Sequence, residues 1–295
     1  MTDADPSQHL TWREMLARVT EVTGDRLTAK WLCEHASGCD GDEFASIAND
    51  LVSQRSGLHL DAMLRRLATG EPLQYVMGRW AFRRLDLMVD RRVLIPRPET
   101  ELLVEHVLTV VRSRAPRERG HLVIADLGTG SGAIGLSLLH ELPPGSATVW
   151  MTDASTDSID VARANAAGVG RAGLGARFAA GEWFDALPHE LLGTFDAVVS
   201  NPPYVAVGDP ALEHSVREWE PAMALLAGDD GLDALRVIIA DARRWLVPGG
   251  LLALEIGHDQ GRAVVELMTA AGLVNATVTR DLAGHERFAT AESPR

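Results

Sequence analysis

Apolar residues in the first quarter of the chain recur at helical spacing. Trp12, Met15, Leu16 and Val19 mark one face of a predicted helix, and Leu27, Trp31 and Leu32 mark a second that Gly38 should close. Asp42 is placed to cap a third, with Phe44, Ile47, Ala48 and Leu51 on one face. Leu60, Met63, Leu64 and Leu67 form a fourth stripe, stopped by Gly70 and Pro72. Helices this short can bury their stripes only against one another, so residues 1–72 are expected to form a small helical bundle. The period then changes. Tyr75, Trp80, Phe82, Leu85, Leu87 and Val89 predict two extended segments, a hairpin in a linker spanning 73–97. Pro98 is suited to start a helix carrying Leu102, Leu103, Val107 and Val110.

Strands and helices alternate from His121 onward. Leu122 to Asp126 is a buried strand, followed by a glycine-rich turn and a helix through Leu139. Ala147 to Asp153 is a second strand, followed by a helix with Ile159, Ala162 and Ala166. Phe195 to Ser200 and Leu251 to Ile256 are further strands, with helices expected between Leu232 and Leu246 and between Gln260 and Ala271. This alternation specifies a doubly wound, mostly parallel α/β sheet covered on both faces, occupying 98–295.

With 295 residues, one large and one small domain are expected. The 46% hydrophobic and 23% charged content is that of a globular protein, and no apolar run approaches the roughly 20 residues that span a bilayer. Met1 to Leu10 is polar and acidic, unlike a signal peptide, and two cysteines give no disulfide framework, so a cytoplasmic location is expected. The formal charge of -13 disfavours nonspecific binding to nucleic acid, which rests on cationic side chains. Arg79, Arg83, Arg84, Arg91, Arg92 and Arg97 run against that total. They form either a solvated hairpin edge or a contact surface for an acidic partner.

The strongest local signal is Asp126-Leu-Gly128-Thr129-Gly130-Ser131-Gly132-Ala-Ile-Gly135, between a strand and a helix. Glycine permits a sharp turn and close approach to a ligand, and Asp153 at the next strand end can hold two ribose hydroxyls. Gly130, Gly132 and Gly135 also satisfy a dinucleotide fingerprint, so both NAD and S-adenosylmethionine fit the spacing. Asp126 tilts the choice, because an acid there repels pyrophosphate and suits the cationic amino-acid end of S-adenosylmethionine. Trp183 is placed to pack against adenine.

Ser200-Asn201-Pro202-Pro203-Tyr204 ends a strand, on the side where open sheets bind ligands. The Asn201 side-chain oxygen and the Pro202 carbonyl can accept two N–H bonds from one NH2 group. Pro203 biases Pro202 toward an extended backbone, and Tyr204 offers a flat face to a planar substrate. Such a site suits methyl transfer to a planar nitrogen. An amide nitrogen is a poor nucleophile whose reaction depends on positioning, which can supply on the order of 7 kcal/mol.

Taken with Gly70-Glu-Pro-Leu-Gln-Tyr75, Leu94-Ile-Pro-Arg-Pro-Glu-Thr100, Glu220-Pro221 and Leu254-Glu-Ile-Gly257, these motifs resemble the HemK/PrmC family, the peptide chain release factor glutamine methyltransferases. The resemblance implies a seven-stranded Rossmann-like methyltransferase sheet, a substrate-recognition bundle over 1–72 and a methyltransferase domain over 98–295. It implies S-adenosylmethionine held by Gly128, Thr129, Gly130, Ser131, Gly132, Asp153, Trp183 and Asn201. It implies that Asn201, Pro202, Pro203 and Tyr204 grip the glutamine of the Gly-Gly-Gln motif in bacterial class I release factors, with Asn201, Pro202 and Tyr204 serving catalysis. No metal, no membrane and no stable nucleic-acid partner are expected, and a monomer is.

Other readings compete. The same Asn-Pro-Pro-Tyr would suit the exocyclic amine of a flipped adenine. A noncatalytic S-adenosylmethionine-binding regulator and an NAD-dependent dehydrogenase are the remaining alternatives. Cys33, His35, Cys39 and Asp40 lack a second cysteine pair and read as a helix-end thiol pair rather than a zinc site. His285 and Arg287 are expected on a strand edge.

Overall fold

The computed structural model describes residues 10–113 and 120–295, so the Met1–Leu10 segment lies outside it except for Leu10. The chain divides into two compact units, Met1–Gly78 and Arg79–Arg295.

In the first unit the helices are α1 (Trp12–Thr23), α2 (Arg26–Ser37), α3 (Gly41–Ser46), α4 (Gln54–Leu67) and α5 (Leu73–Met77). A reciprocal capping box of Thr11 and Glu14 starts α1, and Gly38 in the left-handed region ends α2. Trp12, Met15, Val19, Leu32, Phe44, Leu60 and Met63 build the core, with Trp12 and Phe44 edge to face at 5.7 Å. Two expectations change. The cap position of α3 is Asp40, which puts Asp42 inside the first turn, and Leu51 is exposed. Residues 73–77 are helical rather than extended. There the Arg66 guanidinium binds the Glu71 carboxylate and donates to the carbonyls of Tyr75 and Val76, supplying hydrogen bonds that a strand pairing would otherwise provide. Cys33 is fully buried, which pushes its thiol up to about 12, and no metal-ligand cluster forms among the described residues.

The second unit opens with a hairpin, β1 (Arg79–Phe82) and β2 (Leu85–Met88). Then follow α6 (Thr100–Ser113), β3 (Leu122–Leu127), α7 (Ala133–Glu141), β4 (Ala147–Asp153), α8 (Thr156–Gly168), β5 (Ala176–Ala180) and β6 (Phe195–Ser200). The chain continues with α9 (His214–Trp219), α10 (Asp233–Trp245), β7 (Leu246–Glu255), α11 (Gly261–Ala270), β8 (Val274–Arg280) and β9 (Glu286–Glu292). The seven-stranded sheet has the order β5-β4-β3-β6-β7-β9-β8; the first five strands are parallel and β9 is antiparallel to both neighbours. Alternation along each strand feeds two cores: Ala197 and Val199 enter one, with α6 and α7, while Val198 enters the other, with α10 and α11. The strand order reverses between β3 and β6, and at such a switch point a crevice opens at the carboxyl ends of the strands.

Here too the structure corrects details. The first turn of α6 begins at Thr100, with Pro98 and Glu99 in the turn before it. Arg287 lies on β9, inside the sheet between β7 and β8, and pairs with Asp281 at 2.7 Å. The arginine run is mostly engaged with acids or a ring, although Arg84, Arg91 and Arg92 remain exposed. Arg79 meets Asp86, Arg92 meets Asp90, Arg97 meets Glu220, and Arg91 lies 3.9 Å over the Trp219 ring. Arg83 occupies the hairpin turn at φ +51°, where glycine or asparagine is usual. It tolerates this because its guanidinium anchors Glu141, Glu105 and the Glu101 carbonyl. Through Arg83 and Arg97 the stretch therefore binds the hairpin segment to its own unit, while Arg84 stays exposed.

Candidate active site

The turn after β3 is built from glycines with left-handed backbones at Gly128, Gly130 and Gly132. Its scaffold is buried. Ser200 Oγ donates to the Leu127 carbonyl at 2.6 Å, and the Thr129 N–H reaches the Thr152 carbonyl at 2.8 Å. Asp126 is fully buried, and its Oδ2 accepts from Thr129 Oγ1 at 2.6 Å and from the Gly135 N–H at 3.0 Å. That carboxylate occupies the N-terminus of α7, where the phosphates of a dinucleotide would otherwise bind. Its other oxygen, Oδ1, has no partner among the described residues. Burial pushes the Asp126 carboxyl up to about 6, opposed by those two hydrogen bonds and reinforced by the nearby Asp153 charge.

Asp153, at the end of β4, accepts from the Gly130 and Ser155 N–H groups, and burial raises its pKa. The turn after β5 is pinned by Phe184, stacked on Trp245 at 5.5 Å. The preceding Trp183, at φ +45°, lies against Gly128, where any Cβ would sit 3.3 Å from the ring. Sequence reasoning missed Asn165 of α8. It receives the Met88 N–H and donates to the Met88 and Ser131 carbonyls, tying hairpin to glycine turn. A buried asparagine between Ala162 and Ala166 was its only signal.

Beyond β6, Asn201 Nδ2 donates to Thr100 Oγ1 at 3.3 Å, and Thr100 donates to Glu255 Oε2 at 2.6 Å. The Tyr204 hydroxyl donates to the other oxygen of Glu255 at 3.2 Å. Burial pushes Glu255 up to about 7 and the Tyr204 phenol well above its usual value. Gln260 holds the carbonyls of Tyr204 and Gly231. Opposite, Glu220 accepts from the Ile95 N–H at 3.0 Å and from Arg97 at 2.6 Å, joining the 94–100 motif to the segment after β6. The motifs around Thr100, Glu220 and Glu255 thus acquire structural partners that their sequence alone did not reveal.

These elements enclose a cavity of about 290 Å³. Of the predicted site residues, Gly128, Thr129, Gly130, Ser131, Asp153, Trp183, Asn201 and Pro203 line it. Gly132, Pro202 and Tyr204 are not among its lining residues. Gly132 caps α7, Pro202 is buried, and the Tyr204 hydroxyl is committed to Glu255. Phe82, Val93, Leu94 and Pro96 add an apolar wall, and Met223 and Glu182 complete the rim. The cavity thus pairs an aromatic and apolar wall with two carboxylates. A cationic nucleoside fits this set better than a pyrophosphate, and the buried Asp126 carboxylate behind the glycine turn adds to the negative field.

Two family descriptions match the chain: "PrmC N-terminal domain" over residues 6–78 and "Methyltransferase small domain" over 99–218. The release factor glutamine methyltransferase of Xylella fastidiosa is 40% identical over 270 residues, 92% of this chain and 94% of that protein. That of Burkholderia pseudomallei is 40% identical over 273 residues, 92% and 93% of the two chains. This chain belongs to the release factor glutamine methyltransferase family. A methyltransferase structure from Pyrococcus furiosus, 17% identical, superposes with a TM-score of 0.51 over 78% of this chain and 98% of that one, and shows the shared methyltransferase fold. Within this family the chain is an S-adenosylmethionine-dependent methyltransferase. No helix among the described residues is long and apolar enough to cross a membrane.

Proposed function

We propose that this enzyme transfers a methyl group from S-adenosylmethionine to the side-chain amide nitrogen of the glutamine in the Gly-Gly-Gln motif of bacterial class I release factors. The observation that carries this reading is the placement of Asn201 at the end of β6, across the same cavity from the glycine turn and Trp183. Gly128 to Gly132, Asp153 and Trp183 would hold the cofactor, Asp153 at the ribose and Trp183 at the adenine. When bound, the cofactor supplies a sulfonium-activated methyl, so the chain needs no metal or covalent nucleophile. Asn201 Oδ1 and the Pro202 carbonyl would accept the two amide N–H bonds, which aims the nitrogen lone pair at the methyl carbon. Pro203, which lines the cavity, would wall the planar amide, and Tyr204, held behind that lining by the bond from its hydroxyl to Glu255, would need to turn its ring toward the substrate to join it. Methyl transfer makes the nitrogen strongly acidic, so its proton is lost to solvent, the two acceptors orienting the N–H bonds without taking the proton themselves. The helical unit, matching the PrmC N-terminal description, is our candidate for contact with the body of the release factor.

Cofactor affinity should depend on pH. Burial pushes the Asp126 carboxyl up to about 6, so it is ionised at higher pH, where its field favours the cationic cofactor, and protonation at lower pH removes that attraction. Affinity measured by calorimetry is expected to weaken about tenfold as pH falls from 8 to 5. Asp126→Asn should bind weakly throughout, with a flat profile. A steep profile in that variant would assign the titration to another group.

Adenine offers a similar planar NH2, but several hairpin arginines are already paired with acids and the chain carries a formal charge of -13, which disfavours a phosphate backbone. With labelled S-adenosylmethionine, label should enter a release factor and not an adenine-rich oligonucleotide. Labelling of the oligonucleotide alone would overturn the proposed substrate.

A further inference from the structure

Glu255 is 3% exposed, and among the described residues its carboxylate receives hydrogen bonds only from the neutral hydroxyls of Thr100 and Tyr204. Burying a carboxylate without a directly bonded cation is costly, and an apolar side chain would join α6, β6 and β7 more cheaply. The direction of its hydrogen bonds suggests what it does. Above about pH 7 Glu255 is ionised and only accepts, so the single Thr100 hydroxyl proton points to it and leaves only lone pairs for Asn201. Asn201 must then offer its NH2 to Thr100 at 3.3 Å, which turns its oxygen the other way. Without this chain, the two ends of a carboxamide are nearly interchangeable in shape.

We infer that Thr100 and Glu255 are positioning residues that fix the Asn201 carboxamide with its oxygen facing the substrate amide. The inference rests on the glutamine-methylation reading. A flipped Asn201 would present N–H to N–H and lose one of the two acceptors for the amide. The charged and titratable groups that face Glu255 are Tyr204, Glu99 and Arg287; Glu99 opposes its ionisation and Arg287 favours it.

The test compares T100V, T100S and wild type in three measurements: release factor methylation, cofactor affinity, and the Asn201 side-chain NH2 signal by NMR, assigned by its loss in N201A. T100V is expected to lower kcat at least tenfold with KM for the release factor and cofactor Kd within threefold, and to shift the Asn201 signal. T100S should keep both rate and signal near wild type. A T100V enzyme within twofold of wild-type kcat, or one whose Asn201 signal is unmoved, would overturn the inference. So would a loss explained entirely by cofactor affinity. If T100V does not fold, E255Q replaces it. The amide introduced by E255Q can donate to Thr100, so Asn201 should show two sets of NH2 signals, and a single set at the wild-type position would contradict the inference. If wild type leaves the release factor unmethylated, the substrate reading fails, whereas the NMR signal still reports on the orientation.

Discussion

Asn201→Ala is expected to lower kcat for methyl transfer about 100- to 1,000-fold, the usual cost of removing one preorganised polar contact to a reacting group. Asn201 lines the cavity, and its NH2 is already engaged by Thr100, so its oxygen is the acceptor left for substrate. The cofactor pocket keeps its glycine turn, Asp153 and Trp183 in this variant, so cofactor Kd should change less than about tenfold while single-turnover rates collapse. Retention of more than half the wild-type rate would remove Asn201 from the reaction.

Arg83→Ala should produce the largest loss of stability outside the site. The side chains of Arg83 and Glu141 are 13% and 5% exposed, and they are joined by two hydrogen bonds, at 2.5 and 2.9 Å. Removing the cation leaves the buried Glu141 carboxylate with only the looser Arg84 contact at 3.9 Å and frees the Glu101 carbonyl, at a cost of about 3 kcal/mol. In a unit of this size that lowers the melting temperature by about 10 °C. Arg83 lowers the Glu141 pKa, so this stabilisation is present above the ordinary carboxylate range and is lost as pH falls through the lowered folded value. The gap between wild type and variant should therefore narrow below about pH 5. Arg83→Gly should recover about 1 kcal/mol relative to Arg83→Ala, because glycine adopts φ +51° without strain. A melting temperature within 2 °C of wild type for Arg83→Ala would show that Glu141 finds another partner.

Much of this molecule is legible from local pattern. The alternation after His121 requires a doubly wound sheet, and the glycines before α7, with Asp153 at the neighbouring strand end, mark the ligand side of it. Residues 73–77 read as extended because Tyr75 and Val76 have aromatic and β-branched character, whereas a distant arginine, Arg66, satisfies their carbonyls in a helix. The arginine run cannot be interpreted from charge counting, since Glu141 and Glu220 lie 58 and 123 residues from their partners Arg83 and Arg97. Asp126 stands out in the sequence as unfavourable to phosphate. The physical basis is different from simple repulsion at the surface: it is buried and caps α7 from within. Asn165 and Glu255 are not recognisable as supports, because their partners are contributed by the hairpin and by α6.

Peptide mapping after incubation with S-adenosylmethionine and a bacterial release factor tests the central claim most directly. The account predicts a single added methyl on the Gly-Gly-Gln glutamine and no methyl on a copy with that glutamine replaced. Methylation of the replaced copy, or of any other residue in place of that glutamine, would contradict it.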